Sequence, residues 1–295
     1  MNKYLFPIYR VLVPKPVRTI LLKKSLRKNI LKHFASLPVN EVNDEQKEVL
    51  QYLKDDQIRI FPYPFHSNYS PDKIEVFSDS ENGMRYVLQD GKRLYFKKRW
   101  SESRIKRAYC DLIREQDNYS PHRYLTDKFK VEKDDILADI GAAEGNFSLA
   151  VIDDVKKIYL FEYDPEWNEA LKATFAPWAG KVEIINKYVS DHDDENHIRF
   201  DTFFGNSNDV TFLKIDVDGA ESVVLKSFDQ VFRSRAPFKV ALCTYHKNND
   251  EKDFTSLLVD YGFAVTPSRG YMINYYDKKM KAPYLRRGLI RATRI

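Results

Sequence analysis

From Asp135 onward, short apolar runs alternate with stretches of helical spacing. The runs cover 136–140, 158–163, 182–189, 210–216 and 238–244, and the helical stretches 146–155, 165–175 and 220–228. Apolar runs of strand length separated by helices predict a parallel sheet wound on both faces. The chain then changes character. Residues 257–261 end a helix, and 263–265 and 271–276 predict two strands joined by a turn at 267–270. A terminal hairpin with one antiparallel strand departs from the dinucleotide-binding pattern.

Upstream, Leu22, Leu26, Ile30 and Phe34 recur every four residues, as do Lys24, Lys28 and Lys32, so 17–34 predicts a helix. Lys23 and Arg27 intrude on its apolar side. Asn43 and Asp44 offer a start for a second helix over 45–53. Residues 59–72 read as an irregular connection. Runs at 73–77, 85–89 and 92–98, with Asn82-Gly83 and Asp90-Gly91 between them, predict a small meander. A helix over 101–117 places Ile105, Ala108, Tyr109, Leu112, Ile113 and Gln116 on one face. This divides the chain into a mainly helical region 1–70, a lid or edge 71–133 and a main domain 134–295.

Composition supports a globular chain: of 295 residues, 43% are hydrophobic and 14% aromatic. Cys110 and Cys243 have neither metal-ligand spacing nor a disulfide framework, which suits a reducing cytoplasm. No apolar run approaches the roughly 18 residues of a membrane span. Tyr4 to Val13 is interrupted by Pro7 and Arg10, and no signal peptide is expected. The net charge of +5 is uneven. Residues 1–35 hold nine Lys/Arg and no acid, residues 277–295 hold seven against Asp277, and the body between carries −10. Such ends either meet an anionic surface or neutralise the acidic body.

The chemistry gathers where strands are expected to end. Residues 136–148 run from an apolar strand through Asp139, Gly141, Ala142, Ala143, Glu144 and Gly145 into Asn146, Phe147 and Ser148. Small residues there let the backbone approach a ligand, and the following helix start offers N–H groups to it. Glu162 closes the second strand, at the distance where an acid grips ribose hydroxyls. Asp164 precedes Pro165 and reads as a helix cap. Asp216 and Asp218 emerge at the fourth strand end, with Glu221 one turn on. Such a cluster serves to orient a substrate, hold a divalent cation or move a proton. No histidine stands beside it in sequence, so no metal is assigned. His246 follows the fifth strand, where an imidazole can take a proton from a hydroxyl.

The stretch 139–148, Glu162, the run 214–221 and Tyr245-His246 together resemble FkbM-type methyltransferases, over roughly residues 84–276. The resemblance implies a class I methyltransferase fold: an α/β, Rossmann-like sheet, mostly parallel, with a C-terminal antiparallel hairpin. Here a helical N-terminal extension precedes it. It also implies S-adenosyl-L-methionine as cofactor. The backbone of Gly141 to Asn146 would hold the methionine part, with Asp139, Ala142, Glu144, Gly145 and Phe147 in the same site. Glu162 and Tyr163 would lie at the ribose and Tyr188, Val189 and Asp191 beside the adenine. Gln116, Ser120 and His122 would come from a loop closing over it. His246 is the expected base, with Asp216 or Asp218 positioning. Ala143 replaces the middle glycine of the common loop, and Asp218 stands where the family often has Glu.

The activity expected is O-methylation of a carbohydrate, glycolipid or natural-product intermediate, as in polysaccharide biosynthesis. A nucleic-acid methyltransferase is the competing enzyme, and a cofactor-binding scaffold without catalysis the competing non-enzyme. Asp-Val-Asp-Gly stands where amine methylation of bases needs Asn/Asp-Pro-Pro-Tyr/Phe, so no nucleic-acid partner is expected. The basic ends point to peripheral contact with an anionic membrane or a lipid-linked substrate, from the cytoplasmic side.

Overall fold

The structure, a computed structural model, describes residues 15–55, 57–205, 209–277 and 280–295; Tyr4 to Val13, Lys278 and Lys279 lie outside them. Its centre is a seven-stranded sheet. In chain order the strands are β4 (Ile136–Ile140), β5 (Lys157–Phe161), β6 (Val182–Ile185), β9 (Phe212–Ile215), β10 (Phe238–Cys243), β11 (Ala264–Pro267) and β12 (Leu289–Arg294). They lie side by side as β11-β12-β10-β9-β4-β5-β6. All pairs are parallel except those of β12, which runs antiparallel to β10 and β11. This is the class I methyltransferase arrangement. β4 is central and buried along its whole length, which is why it reads as an unbroken apolar run.

The hairpin expected at 263–276 is corrected. Its first strand is β11, but its second is β12, after a long excursion over 268–288. Tyr271, Met272 and Ile273 have the composition of a strand, yet they pack in a separate core with Ile30, Phe34, Val49, Leu53 and Phe61. Ile273 N–H bonds the Ile60 carbonyl instead of a sheet neighbour. β12 was hidden because Arg291 and Arg294 make it read as a charged tail. Their guanidiniums donate to backbone carbonyls: Arg291 to Tyr124 (2.9 Å) and Arg294 to Phe232 (2.6 Å), Ala236 (2.9 Å) and Tyr261 (3.1 Å). Arg286 pairs with Asp277 and Arg287 with Glu45. Arg286, Arg287, Arg291 and Arg294 are therefore taken up by internal contacts, whereas Lys281 is exposed.

The run 182–189 also divides. β7 (Tyr188–Val189) leaves the main sheet and pairs with β8 (His197–Ile198). The meander consists of β1 (Phe77–Ser78), β2 (Arg85–Gln89) and β3 (Lys92–Tyr95), all antiparallel. It shares a core with one face of the main sheet rather than standing apart, through Val87, Leu94 and Phe96.

The helices are α1 (Lys15–Ala35), α2 (Asp44–Asp55), α3 (Glu102–Glu115), α4 (Asn146–Ala150), α5 (Pro165–Phe175), α6 (Phe200–Phe204), α7 (Glu221–Leu225), α8 (Asp229–Arg233) and α9 (Asp250–Asp260). Asp164 caps α5, accepting from Glu166 N–H at 2.8 Å. In α1 only the second half buries its stripe: Ile30 and Phe34 are buried, whereas Val17, Ile20, Leu21 and Leu22 are exposed. Arg27 sits on the apolar side because it reaches the last carbonyls of α2, and Lys23 because it lies over the Tyr275 ring, 4.2 Å from its centre. No helix of the described residues is long and apolar enough to cross a membrane.

Candidate active site

The loop after β4 is pressed against the end of β9. Gly141 has φ 76°, and a Cβ there would stand 2.1 Å from the Asp216 carbonyl oxygen. Only glycine fits this approach and this backbone. Gly145 (φ 79°) opens α4, and Ala143 holds φ 47°. Ala143 reaches that conformation without a glycine because Glu162 Oε2 accepts its N–H at 3.0 Å. Glu162 Oε1 accepts Asp164 N–H at 2.8 Å, so one carboxylate ties the β4 loop to the β5 end. Burial pushes the Glu162 carboxyl above its ordinary range.

Beneath this loop lies Asp139, with no exposed surface. Its carboxylate accepts from Ser148 Oγ at 2.8 Å and pairs with Lys214 Nζ at 2.9 Å. Lys214 also donates to the Gly141 carbonyl at 2.8 Å. Burial works against the Lys214 charge, but Asp139 and Asp216 outweigh it and raise the ammonium above its usual value. Asp139 thus supports the loop from below instead of facing a ligand. Ala142 and Phe147 are buried as well.

A cavity of about 620 Å³ opens on the other side of the loop, lined by Gly141, Glu162, Tyr163, Tyr188, Val189 and Asp216 among others. Tyr163 and Tyr188 are stacked with ring centres 4.2 Å apart, and Tyr188 stacks in turn on His197. Asp191 is turned away, paired with His192 at 3.1 Å and Lys226 at 3.5 Å, and Ser190 lines the cavity in its place. Glu144 and Glu115 lie near the loop. Burial raises their carboxyls to about 8 and about 7, and each is pushed up further by neighbouring carboxylates.

Gln116, Ser120 and His122 do not line this cavity. Gln116 accepts Tyr124 N–H at 3.2 Å and faces a separate cavity with Gln89 and Asn146. Ser120 accepts His122 N–H at 3.1 Å. The segment is held behind the sheet ends because Gly288 comes so close to Pro121 that a Cβ would meet its carbonyl oxygen at 2.0 Å. His122 is buried, with Nε2 3.4 Å from Asp216 Oδ2 and 3.5 Å from Cys243 Sγ.

Asp216 is the meeting point. Tyr124 Oη donates to its Oδ2 at 2.8 Å, and Tyr245 Oη reaches Oδ1 at 3.5 Å. Burial disfavours its charge, but His122, Lys214 and His246 outweigh that and hold the carboxyl well below the usual range. Tyr124, Lys214 and Tyr245 belong to the stretches that carry the resemblance, but the sequence assigned them no role at Asp216. Lys214, two residues before Asp216 inside an apolar strand, was a signal in itself, since a lysine there needs an acid partner.

His246 stands beside this group, nearly buried. Its Nδ1 is 2.8 Å from Glu221 Oε1, and its Nε2 is 3.8 Å from Asp216 and 3.7 Å from Asp218. Glu221 is fully buried, and Oε1 also accepts the N–H groups of Val217 and Gly219, both at 3.2 Å. Asp218 is fully exposed at φ 52° and lines both the cavity above and a second one of about 740 Å³. That second cavity is bounded by Tyr245, His246, Lys247, Asn248, Asn274 and Arg286 among others. Burial lowers the His246 pKa, but Glu221, Asp216 and Asp218 reverse this and leave it raised. The fold also supplies the histidine that the acidic cluster lacked in sequence: ligand-type atoms of Asp216, Glu221 and His246 lie within 4.8 Å of one another. Glu221 Oε1 accepts two amides and makes an ion-pair contact with the imidazole, while Glu221 Oε2 and both ring nitrogens have no hydrogen-bond partner among the described residues.

The group that the resemblance implies, with an adenine, a ribose and a positively charged methionine end, fits these residues. The loop offers a close backbone approach, Glu162 a carboxylate on the cavity wall, Tyr163 and Tyr188 a stacked aromatic pair, and Asp216 negative charge.

Among curated proteins, no sequence matches this chain. Solved structures that match include the methyltransferase FkbM from Methylobacillus flagellatus KT, at 13% identity and TM-score 0.44, covering 65% of this chain and 54% of that one. A precorrin-6y C5,15-methyltransferase from Geobacter metallireducens GS-15 matches at 15% identity and TM-score 0.40, covering 57% and 83%. The TrmK of M. capricolum, solved with S-adenosyl-homocysteine, matches at 9% identity and TM-score 0.38, covering 58% and 69%. This chain thus spans about half the length of the Methylobacillus protein. Residues 129–271, from the end of the lid segment to just past β11, match the family model of the methyltransferase FkbM domain.

Proposed function

We propose that this chain is an S-adenosylmethionine-dependent O-methyltransferase acting on a hydroxyl of a carbohydrate, glycolipid or natural-product intermediate. The observation that carries the reading is the place of His246. Held by Glu221, it turns Nε2 toward Asp218, where the cavity of Gly141 and Glu162 meets the cavity of Asn248 and Arg286. Asn248, Asn274, Lys247 and Tyr245 give the second cavity a polar wall suited to a hydroxyl-rich acceptor.

In this reading the loop from Gly141 to Asn146 and Glu162 bind the cofactor, and Tyr163 with Tyr188 holds its adenine. S-adenosylmethionine, when bound, supplies an activated methyl group on a sulfonium. Asp216, held ionised at the cavity wall, favours that positive charge. His246 Nε2 accepts the proton of the acceptor hydroxyl, and Glu221 keeps Nδ1 protonated and stabilises the resulting imidazolium. Asp216, kept ionised by its neighbours, adds to that stabilisation. Alignment of the hydroxyl oxygen with the methyl group is the larger contribution, and the walls of the second cavity provide it.

Calorimetry with S-adenosylhomocysteine, followed by methyl-transfer assays on polyhydroxylated acceptors and on RNA, tests the reading in two steps. Absence of cofactor binding sinks it outright; binding together with transfer to RNA alone replaces the acceptor class.

We further propose that α1 brings the protein to an anionic membrane. Arg18, Lys24, Lys28 and Lys32 lie on a helix without acids, next to the exposed Val17, Ile20, Leu21 and Leu22. Lys23 joins this helix to Tyr275, next to Tyr276 in the wall of the second cavity, so a lipid-linked acceptor would reach the site from that side.

A further inference from the structure

A further cavity, of about 690 Å³, is bordered by the segment that presents His122 and Tyr124 to Asp216. Its wall includes Tyr63, Phe65, Tyr119, Arg123, Arg269 and Arg291. Three guanidiniums therefore border one space, and Glu48 is the acid in its lining. Among the described residues none of the three arginines forms an ion pair. Arg123 is held by the Asn118 side chain. Arg291 spends Nε and Nη2 on the carbonyls of Tyr124 and Arg123, which fixes its plane and leaves Nη1 uncommitted. Arg269 is exposed.

Arg123 and Arg291 border this cavity without an ion pair to either, and two guanidiniums so placed repel each other. Burial pushes Arg291 down to about 10, and Arg123 adds to the effect. An anion between them would remove that cost, and the planar fork of arginine matches phosphate oxygens two at a time. The rest of the cavity is rigid. Tyr63 and Phe65 are stacked 5.9 Å apart, Tyr63 Oη accepts Tyr271 N–H at 2.6 Å, and Gly270 packs so tightly that a Cβ would stand 2.6 Å from that oxygen. Tyr119, 78% exposed at the rim, offers a free ring face. A preformed hollow with an apolar wall and a few convergent charges is the usual form of a small-molecule site.

We propose that this cavity binds a phosphorylated small molecule, with the phosphate among Arg123, Arg269 and Arg291 and the organic part against Tyr119 and the aromatic wall. The site is independent of the one proposed for methyl transfer.

Isothermal titration of the full chain with phenyl phosphate and with inorganic phosphate tests it. Saturable binding is expected, tighter for phenyl phosphate, weakened about tenfold or more by Arg269→Gln and by Arg123→Gln. Arg269 makes no internal hydrogen bond or ion pair among the described residues, so its replacement leaves folding intact, which a thermal melt verifies. Lys28→Gln on α1 and Glu162→Ala in the first cavity should leave the affinity unchanged. No saturable binding by the wild type up to about 10 mM, wild-type affinity in both arginine variants, or loss in Lys28→Gln would each overturn the proposal.

Discussion

Oε1 of Glu221 and Nδ1 of His246 stand 2.8 Å apart, and the carboxylate has no exposed surface. Two backbone amides from the Asp218 turn donate to the same oxygen and hold it in place beside the imidazole. The pair sets which nitrogen carries the proton and leaves Nε2 as the acceptor. It also gives the site a pH signature. Because the pKa of His246 is raised above 6.5, its basic form appears only above that raised value. Turnover is expected to rise with pH through an apparent pKa above 6.5. Glu221→Gln should move that inflection to lower pH, since it removes the charge that favours imidazolium. A profile unchanged by Glu221→Gln contradicts the pairing.

Replacement of His246 by Ala should leave cofactor affinity near that of the wild type and cut turnover by roughly 10²–10⁴, the usual worth of a general base. Calorimetry and initial rates read the two quantities separately. Turnover that survives, or cofactor binding that collapses, removes His246 from the role of base.

For the cofactor, Gly141→Val and Glu162→Ala should each weaken S-adenosylhomocysteine by tenfold or more, about 1.4 kcal/mol. Gly141→Val risks the fold, because any Cβ there meets the Asp216 carbonyl oxygen. Glu162→Gln is the milder variant: it keeps an oxygen for one amide and loses only the charge and the second acceptor. Wild-type affinity in Glu162→Gln and Glu162→Ala alike would show that the ribose contact lies elsewhere.

Arg294 anchors the antiparallel strand to the carbonyls of Phe232, Ala236 and Tyr261. Arg294→Met keeps the length of the side chain and removes the donors, leaving buried carbonyls unpaired. A loss of about 2 kcal/mol is expected, in the range for hydrogen bonds to a charged group. Chemical denaturation measures it directly; an unchanged midpoint would mean that the residue is a solvated tail base after all.

The parallel half of the sheet was legible because its strands are buried on both faces, so apolar runs such as 136–140 and 238–243 stand out without any partner being known. The loop glycines and Glu162 were legible because each sits at a strand end, where local sequence dictates geometry. β12 was not legible. Its bases look solvated in one dimension, and only the folded chain shows the carbonyls that they reach. Tyr271 to Ile273 failed in the opposite sense, strand-like in composition but claimed by the N-terminal core. The partners of Asp216 were equally hidden. His122 and Tyr124 arrive together from a segment about 90 residues upstream, and no spacing rule joins it to Asp216; only His246 was paired with Asp216 beforehand. Asp191, placed beside the adenine by analogy, is diverted by the adjacent His192 and by Lys226.

The N-terminal helix decides the last prediction. Its first half leaves Val17, Ile20, Leu21 and Leu22 outside any core, at 44–55% exposure, with lysines beside them and no acid in the helix. A helix packed only to cover the domain would not keep its apolar residues on the free side. Near an anionic surface each basic side chain contributes about 1 kcal/mol, falling off within a Debye length of about 8 Å at physiological salt. Sedimentation with phosphatidylserine-containing vesicles should therefore carry the protein down, and pure phosphatidylcholine vesicles should not. Ile20→Ser with Leu21→Ser should weaken the association at any salt, whereas Lys24→Gln with Lys28→Gln should remove its salt dependence. Equal recovery in the supernatant for both kinds of vesicle would leave the helix as a solvated cover. Binding lost only when Arg291 or Arg294 is replaced would return the role to the C-terminal bases, which the carbonyls around them make the less accessible choice.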